Sequence, residues 1–519
     1  IVARNEDSPN GQFEPKKMQV VHPEDQPKTY TSVLSHVTFE LPDNPMRYSS
    51  VPDALSGHGI WAAAGFNTAN VGMSATETIT SNERVLGADP LVEYVPAKGV
   101  EGEEGYVPAT PGGLGEEDFV TVVLPYVRTA REGVQRLGAL LEQYGTYEMN
   151  GIAFSDEDEI WWLETIGGHH WIAKRVPDDA YVTMPNQLGI DYFDLLDAEG
   201  EQVEHMASPD LRQWMAENHL NLTNTSRLEP EDILDEEFFD DDLDDMDEEE
   251  ADAYEEYMAD LMDLIADVRE GMLSGEIFNP REAFGSHSDS DHVYNTPRAW
   301  YMQRCLNPQD DDIPWSRVPE RKVTIEDVKY VLSAHYQGTA YDCYGSKGTA
   351  ASRNAYRPIG INRNSQLAVL QIRPYVPEPL RCIQWMAFGS NVFNALVGLY
   401  ANVDAFPEYL SNTTDRVTTE SFYWANRVIA ALADARFHET GAKVESYQEK
   451  IGALGHKMLR ETDRAVAGLA EADIPAALAK ANDDLCAELK DQTEKLLASV
   501  LYTTSCAMRN GFAMSDNER

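Results

Sequence analysis

The sequence predicts an α+β protein, because strand-like and helix-like periodicities follow one another in long blocks instead of alternating. Residues 152–176 show the two-residue period of antiparallel strands. Residues 116–145 carry apolar side chains at helical spacing, and residues 421–509 are rich in Ala, Leu, Glu and Lys. A layered fold of sheets and helices is therefore expected, and not a regular βαβ protein.

The N-terminal third is predicted to form short buried strands. β-Forming residues fill positions 32–39, and small and apolar residues fill positions 59–66 and 71–76. Asn67 begins the turn that joins the second strand to the third.

Helices follow, and the period then returns to two. Glu116 stands where a helix N-terminus favours negative charge, and Thr129 to Glu132 form a capping box for a second helix that ends at Gly145. An acidic turn and a Gly-Gly pair divide residues 152–176 into a three-stranded meander. Farther along, the sequence predicts a helix that begins at a capping box and two strands, at positions 324–327, 367–372 and 382–388.

Composition indicates a globular protein of strongly acidic character. The chain has 519 residues, 42% of them hydrophobic, and a formal net charge of −48. This charge repels phosphate backbones and anionic lipids, so we expect neither a nucleic-acid partner nor a membrane partner, whereas a cationic partner stays possible. No apolar run approaches the roughly 18 residues of a membrane span.

The five cysteines favour a reducing, cytoplasmic location. They are odd in number and have no C-x-x-C spacing, which disfavours a disulfide framework and a zinc site; they stand at Cys305, Cys343, Cys382, Cys486 and Cys506. None has a helix N-terminal or histidine-flanked setting, so inert buried thiols are expected. We predict no metal and no organic cofactor.

Two further features can be interpreted either as functional sites or as ordinary structural elements. Gly167-Gly168-His169-His170 could suggest a metal site, but adjacent strand residues point to opposite faces. We interpret the pair as flanking a turn, with His170 lining a substrate cleft. Acidic residues dominate from Glu229 to Glu256 without the glycine that an EF-hand loop requires, so residues 228–270 are predicted to form a solvated insertion with one apolar helical face.

Arg4 and Asp7 follow the apolar start Ile1-Val2-Ala3, which is typical of a strand. Taken alone, they form a surface ion pair of little energetic value.

Several separated motifs together change that interpretation. The chain resembles the bacterial cysteine dipeptidases of the dipeptidase A family in six segments that occur in order along almost its whole length. These segments are Ala3–Asp7, Gly59–Thr80, Ile160–Trp171, Tyr294–Trp300, Arg357–Arg363 and Ala387–Asn394.

The resemblance implies an N-terminal-nucleophile hydrolase, related to penicillin V acylase and bile-salt hydrolase, with a four-layer αββα sandwich. It implies that residues 1–420 form the hydrolase domain, with residues 421–519 as a C-terminal helical extension. It also implies a catalytic cysteine at the mature N-terminus, which starts the strand that continues here as Ile1-Val2-Ala3. The printed chain has no such cysteine, and a short N-terminal piece is expected to be missing from it.

The same resemblance implies roles for individual residues. Arg4 would stabilise the thiolate and Asp7 would hold the α-amino group. Asn186 would donate to the oxyanion, and Arg298 would support the nucleophile pocket. The stretch from Asn67 to Glu77 would form one wall of the cleft. Glu77 lies near the position where related acylases carry another oxyanion-hole asparagine, and our hypothesis is that its carboxylate instead binds the amino group of a dipeptide.

The expected function is hydrolysis of small peptides through an acyl-enzyme intermediate, without a metal or cofactor, in a cytoplasmic homo-oligomer. Two alternatives stay open. One is an N-acyl amidase or acylase on the same fold, and the other is an inactive acidic binding protein.

Overall fold

Two antiparallel sheets organise the part of the chain that the computed structural model describes. This part consists of residues 1–8, 14–77, 79–221, 266–272, 274–309 and 312–508, together with residues 254 and 258. The side chains of residues 76 and 77 lie outside it.

The strands are mostly short, and the longest has nine residues. They are β1 (Val2–Asp7), β2 (Gln19–Val21), β3 (Thr29–Thr31), β4 (Thr38–Glu40), β5 (Tyr48–Ser50), β6 (Ala64–Phe66), β7 (Gly72–Glu77), β8 (Asn150–Ser155), β9 (Ile160–Ile166), β10 (His170–Arg175), β11 (Tyr181–Val182), β12 (Phe193–Asp194), β13 (His205–Ala207), β14 (Ile277–Phe278), β15 (Ser316–Arg317), β16 (Asn364–Ile372), β17 (Cys382–Phe388) and β18 (Val397–Tyr400).

The two longest helices lie near the C-terminus. The helices are α1 (Glu83–Ala88), α2 (Glu116–Val123), α3 (Ala130–Tyr144), α4 (Leu195–Glu199), α5 (Leu211–Glu217), α6 (Pro280–Phe284), α7 (Asp291–Tyr294), α8 (Thr296–Leu306), α9 (Ile325–Leu332), α10 (Glu408–Ser411), α11 (Phe422–Asp434), α12 (Phe437–Val466) and α13 (Ile474–Cys506). Residues 266–272 are also helical. None of the described helices combines the length and the apolar character that a bilayer crossing requires.

The six-stranded sheet has the order β13-β10-β9-β8-β7-β6. Its centre is the predicted meander, in which β8 pairs with β9 and β9 with β10. Helices α2 and α3 pack against this sheet, and their apolar side chains share a core with it. Helix α3 begins at the predicted cap, where Thr129 accepts from the backbone N–H of Glu132, and ends at Gly145 with a φ of 69°.

The four-stranded sheet has the order β1-β16-β17-β18 and carries α11, α12 and α13. Leu459 on α12 and Leu485 on α13 belong to the same hydrophobic core as Leu367 on β16. The helices of the predicted C-terminal extension, residues 421–519, therefore pack on the sheet of the predicted hydrolase domain, and a boundary near residue 420 stays a prediction. The two sheets also contact each other, through β1 with β7 and β8.

The structure confirms the α+β class, and it changes two of the predicted strands. Residues 32–37 form the turn of a hairpin between β3 and β4, because the Ser32 N–H donates to the Val37 carbonyl at 3.0 Å and His36 has a φ of 61°. Strand β6 begins only at Ala64, after two residues with positive φ, Trp61 and Ala63. The predicted acidic insertion, residues 228–270, lies for the most part outside the described residues.

A buried lysine fixes β1 against the surrounding chain. Lys16 has no solvent-exposed side-chain surface, and its ammonium group contacts the Glu6 carboxylate, the Asp53 carboxylate at 2.7 Å and the Trp61 carbonyl at 3.0 Å. Two carboxylates with little exposure thus share the Lys16 cation, since Glu6 is 11% exposed and Asp53 is 4% exposed.

We expect Lys16→Met to lower the free energy of unfolding by about 3–5 kcal/mol, because it leaves buried carboxylates without their cation. Urea denaturation would measure the loss. The control is Lys480→Met, which removes an exposed lysine paired with Asp484 four residues along α13; it should cost less than about 0.5 kcal/mol. A similar small cost for Lys16→Met would contradict the assigned role.

Candidate active site

A cleft of about 1460 Å³ opens beside β1. Five other segments contribute to its walls: the β8–β9 turn, the stretch from Val176 to Asn186, helices α7 and α8, helix α9, and the loop that leads into β16. Its lining includes four of the residues singled out in the sequence, namely Arg4, Asp7, Asn186 and Arg298.

Arg298 on α8 links helices α7 and α8 to the stretch from Val176 to Asn186. Its Nη2 donates to Oδ1 of Asn186 at 2.7 Å and to Oδ1 of Asn295 at 2.6 Å, and its Nε donates to the Tyr294 carbonyl at 2.7 Å. Burial lowers the pKa of Arg298 to about 10, so the guanidinium stays protonated at neutral pH. The bond to Oδ1 turns the Nδ2 end of the Asn186 amide away from the guanidinium, which is the orientation that a donor to substrate requires.

Two neighbouring side chains hold the Asp7 carboxylate in place. Its carboxylate pairs with the Arg357 guanidinium and accepts from Nδ2 of Asn364. Burial, and to a smaller extent the nearby Arg363 charge, together lower the pKa of Arg357 to about 9. The Asp7 carboxylate is therefore fixed at the end of β1, where Asp7 lines the cleft.

The Tyr294 ring connects Arg298, which bonds Asn186, with Arg357, which pairs with Asp7. The guanidinium carbon of Arg298 lies 4.8 Å from its centroid and that of Arg357 lies 4.9 Å from it. Arg363 donates to the Tyr294 hydroxyl at 2.9 Å. Asp7, Arg357, Tyr294, Arg298 and Asn186 therefore form one continuous set of contacts along the cleft.

Arg4 lines the cleft but has different partners from Asp7. Its guanidinium pairs with Glu116 at the start of α2, lies 4.0 Å from Glu6 and lies 3.4 Å from the Ala63 carbonyl. The residues are three positions apart on β1, where side chains alternate between faces. The structure thus places Arg4 between the two sheets and Asp7 with the arginines of the cleft.

Asn67 does not line the cleft. Its side chain donates to the Leu124 and Val127 carbonyls at 2.8 and 2.7 Å and accepts from the backbone of the β6–β7 turn. These bonds give Asn67 a structural position at the turn. Glu77 ends β7 opposite Asn150, and its side chain lies outside the described part of the chain.

His170 also lies outside the lining of the cleft. Its ring stacks on Trp214 with centroids 3.9 Å apart, and its Nδ1 bonds Asp89 at 2.7 Å. His169 belongs to the preceding turn, and its Nδ1 bonds the same carboxylate at 2.9 Å. Strand alternation therefore does not separate the two rings, because the strand begins only at His170. One aspartate holds both histidines.

The stability that Asp89 and its two histidine partners contribute should depend on pH. Burial raises the pKa of Asp89, but hydrogen bonds from His170 and His169 outweigh it and lower the pKa to about 2. A carboxylate with a depressed folded-state pKa contributes stability above its usual pKa and loses it as the pH falls through the folded value.

We expect Asp89→Asn to lower the free energy of unfolding by about 1–2 kcal/mol at neutral pH. The expected loss is no larger because His169 is 43% exposed, and solvent screens its interaction with Asp89. The difference from wild type should shrink as the pH falls from about 4 toward 2. Urea unfolding at several pH values would measure it. Asp210→Asn is the control, since Asp210 is 68% exposed and lies 3.5 Å from His170. A cost that does not change with pH would contradict this role.

None of the five cysteines lines the cleft. Burial raises the pKa of Cys305 to about 11 and that of Cys486 to about 12, and it raises the pKa of Cys382 as well. Cys343 is an exposed residue, but partial burial of its thiol and the nearby Asp342 charge raise its pKa to about 11. These four groups are neutral thiols near pH 7 and poor nucleophiles.

One group of potential metal ligands occurs elsewhere in the described chain. Ligand atoms of His335, Asp342 and Cys343 lie within 4.8 Å of one another. Nδ1 of His335 already bonds Asp342 at 2.7 Å, and none of the three residues lines the cleft. The group therefore has no part in the candidate active site.

A family model described as peptidase family C69 matches residues 1–450. The chain belongs to peptidase family C69. The family resemblance found in the sequence motifs is thereby confirmed.

Two relatives align with almost the whole chain. A protein named dipeptidase from Bifidobacterium longum (strain NCC 2705) is 55% identical, with 99% of this chain and 96% of that protein covered. A protein named probable dipeptidase A from Streptococcus pyogenes serotype M3 (strain SSI-1) is 48% identical, again with 99% and 96% covered. Among solved structures, penicillin V acylase from Agrobacterium tumefaciens is 16% identical, with a TM-score of 0.20 and coverage of 33% of this chain and 44% of that one.

Sequence reasoning on this C69 chain assigned no role to Tyr294, Asn295, Arg357 or Arg363. All four occur in the two motifs that carried the resemblance, Tyr294–Trp300 and Arg357–Arg363. Three arginines within two short motifs of a chain with net charge −48 were the available signal. Their meeting around one tyrosine ring depends on tertiary structure.

Proposed function

We propose that the chain is a dipeptidase that hydrolyses small peptides. The observation that carries this proposal is the continuous set of contacts from Asp7 to Asn186 in the large cleft of a C69 peptidase. The relatives named dipeptidase, which align over nearly the full chain, support the choice of substrate.

The proposed nucleophile is a cysteine that precedes Ile1 in the full-length protein. Its thiolate attacks the peptide carbonyl carbon, and the tetrahedral intermediate collapses to an acyl-enzyme with release of the amine. The cysteine's α-amino group gives the leaving amine its proton, and later takes one from the water that hydrolyses the thioester. The cleft-lining position of residues 1–8 supports this assignment, as do the unsuitable positions of the five cysteines in the sequence.

Each cleft residue has a proposed part in this mechanism. Asp7 holds the α-amino group, Asn186 donates through Nδ2 to the oxyanion, and Arg298 positions the Asn186 amide. Arg4 is proposed to stabilise the thiolate by its charge from between the sheets. Binding of the substrate amino group by Glu77 stays a prediction.

The proposed fold is the four-layer αββα sandwich of N-terminal-nucleophile hydrolases. In support, α2 and α3 cover one sheet, α11 to α13 cover the other, and the two sheets contact each other. We further propose a cytoplasmic homo-oligomer. Five free thiols support a reducing compartment, and sedimentation at several concentrations would test the assembly.

A substrate panel tests the function. The full-length protein would be assayed with unmodified dipeptides, with penicillin V and with conjugated bile acids. The proposal expects hydrolysis of the dipeptides alone. Hydrolysis of only the N-acyl compounds would mean an acylase, and no hydrolysis of any compound would favour an acidic binding protein.

A further inference from the structure

Three arginines of the cleft gather around one tyrosine. The guanidinium carbons of Arg298 and Arg357 lie 4.8 and 4.9 Å from the Tyr294 ring centroid, and Arg363 donates to the hydroxyl of the same ring at 2.9 Å. All four residues line the cleft. Positive charge is thus concentrated at one place in a chain whose net charge is −48.

Carboxylates compensate this charge only in part. Asp7 pairs with Arg357. The nearby Asp291 carboxylate accepts from Nδ2 of Asn295 at 2.5 Å instead of contacting an arginine. Within the described part of the chain, no carboxylate lies at ion-pair distance from Arg298 or Arg363.

Arg298 uses more of its hydrogen-bond donors than Arg363 does. Arg298 donates to three oxygen acceptors, on Asn186, Asn295 and Tyr294. Within the described chain, the Arg363 side chain makes one hydrogen bond, from Nη2 to the Tyr294 hydroxyl, and its Nη1 donates to no acceptor. An arginine with a rigid anchor and unused donors in a cleft is well suited to hold a planar anion by two parallel hydrogen bonds.

The electrostatic environment also favours an anion at this place. Burial is the main cause of the lowered pKa values of Arg298 and Arg357. The charge of Arg363 contributes to lowering both values. Arg363 therefore repels both of the other cations. A bound anion would offset this repulsion.

The backbone places Arg363 next to the proposed catalytic strand. Its carbonyl accepts from the Ser8 N–H at 3.0 Å, one residue beyond Asp7. In a dipeptide, the C-terminal carboxylate carbon is only one residue from the scissile bond, at a distance of about 4 Å or less. A group that binds this carboxylate must lie close to the catalytic residues, as Arg363 does.

We propose that Arg363 binds the C-terminal carboxylate of the substrate and so selects dipeptides. The inference rests on the proposed function and assigns a specificity residue to it. A longer peptide has a neutral amide where a dipeptide has its carboxylate, and it would leave the Arg363 charge unpaired.

The test compares a dipeptide such as Ala-Ala with its C-terminal amide, in the full-length wild-type protein and in Arg363→Gln. Wild type should hydrolyse the free acid with kcat/KM about 10–100-fold higher than the amide, the range for a charged hydrogen bond. In the variant, KM for the acid should rise by about the same factor with little change in kcat, and kcat/KM for the amide should stay within about twofold.

Arg321→Gln is the matched control, because Arg321 lines the same cleft but is paired with Asp327 and 68% exposed. It should leave both substrates unaffected. Equal losses on acid and amide in Arg363→Gln would reduce Arg363 to a structural support of Tyr294 and overturn the inference. If Arg363→Gln does not fold, the wild-type comparison still decides: equal rates for acid and amide would refute the inference while the dipeptidase function stands. No hydrolysis of either would refute the function itself.

Discussion

Asn186→Ala is expected to lower kcat for dipeptide hydrolysis by about 10²–10³-fold, which is the usual cost of losing one oxyanion donor. KM should change little, because the amide contributes most when negative charge develops on the carbonyl oxygen. The expectation rests on the 2.7 Å bond from Arg298 to Oδ1 of Asn186, which fixes the amide with Nδ2 turned away from the arginine. Steady-state kinetics with a dipeptide would measure kcat and KM separately.

The control for this variant is Asn354→Ala, since Asn354 is exposed and does not line the cleft. It should leave kcat and KM unchanged. A raised KM with unchanged kcat in Asn186→Ala would mean that Asn186 binds the ground state and takes no special part in the transition state.

Asp7→Asn is expected to reduce kcat/KM by about 10³-fold or more. The neutral amide cannot hold a charged α-amino group as the carboxylate does, and it leaves Arg357 without its ion-pair partner. Breaking this pair should also lower the free energy of unfolding by about 3–5 kcal/mol, the range for a buried pair that loses one partner. Both kinetics and urea denaturation are therefore needed.

A matched ion pair that does not line the cleft separates the two effects. Asp463 on α12 pairs with Arg373, and their side chains are 24% and 6% exposed, compared with 23% and 8% for Asp7 and Arg357. Asp463→Asn should lose comparable stability and keep full activity. Equal activity losses in the two variants would show that Asp7 acts only through stability.

Much of the local structure was predictable because its signals are local. The Thr324 capping box starts α9, with its side chain accepting from the Asp327 N–H, and β17 has the bounds that its β-forming residues predicted. The strand predicted at positions 32–39 was wrong for residues 32–37, which form a turn, whereas Thr38 and Phe39 belong to β4. One contact that holds this turn is the bond from Ser32 to Glu117, which is 85 residues away. Likewise, no local pattern indicates the positive φ of Trp61 and Ala63.

The candidate site was predictable in part, through the family resemblance. Asp7, Asn186 and Arg298 come from three distant segments, and only the tertiary structure joins them through Tyr294 and Arg357. Asn67 and His170 belong to motifs of the same resemblance, but each has bonding partners outside the cleft. A motif thus identified the family without separating residues that hold the fold from residues that face the substrate.

The central claim is that a cysteine preceding Ile1 reacts with substrate in the cleft of Asp7, Asn186 and Arg298. Labelling of the active full-length protein with a dipeptidyl chloromethyl ketone, followed by digestion and mass spectrometry, tests it most directly. We predict one label per chain, on a cysteine N-terminal to Ile1, with complete loss of activity. A label on Cys305, Cys343, Cys382, Cys486 or Cys506 that accompanies the loss of activity would contradict the claim.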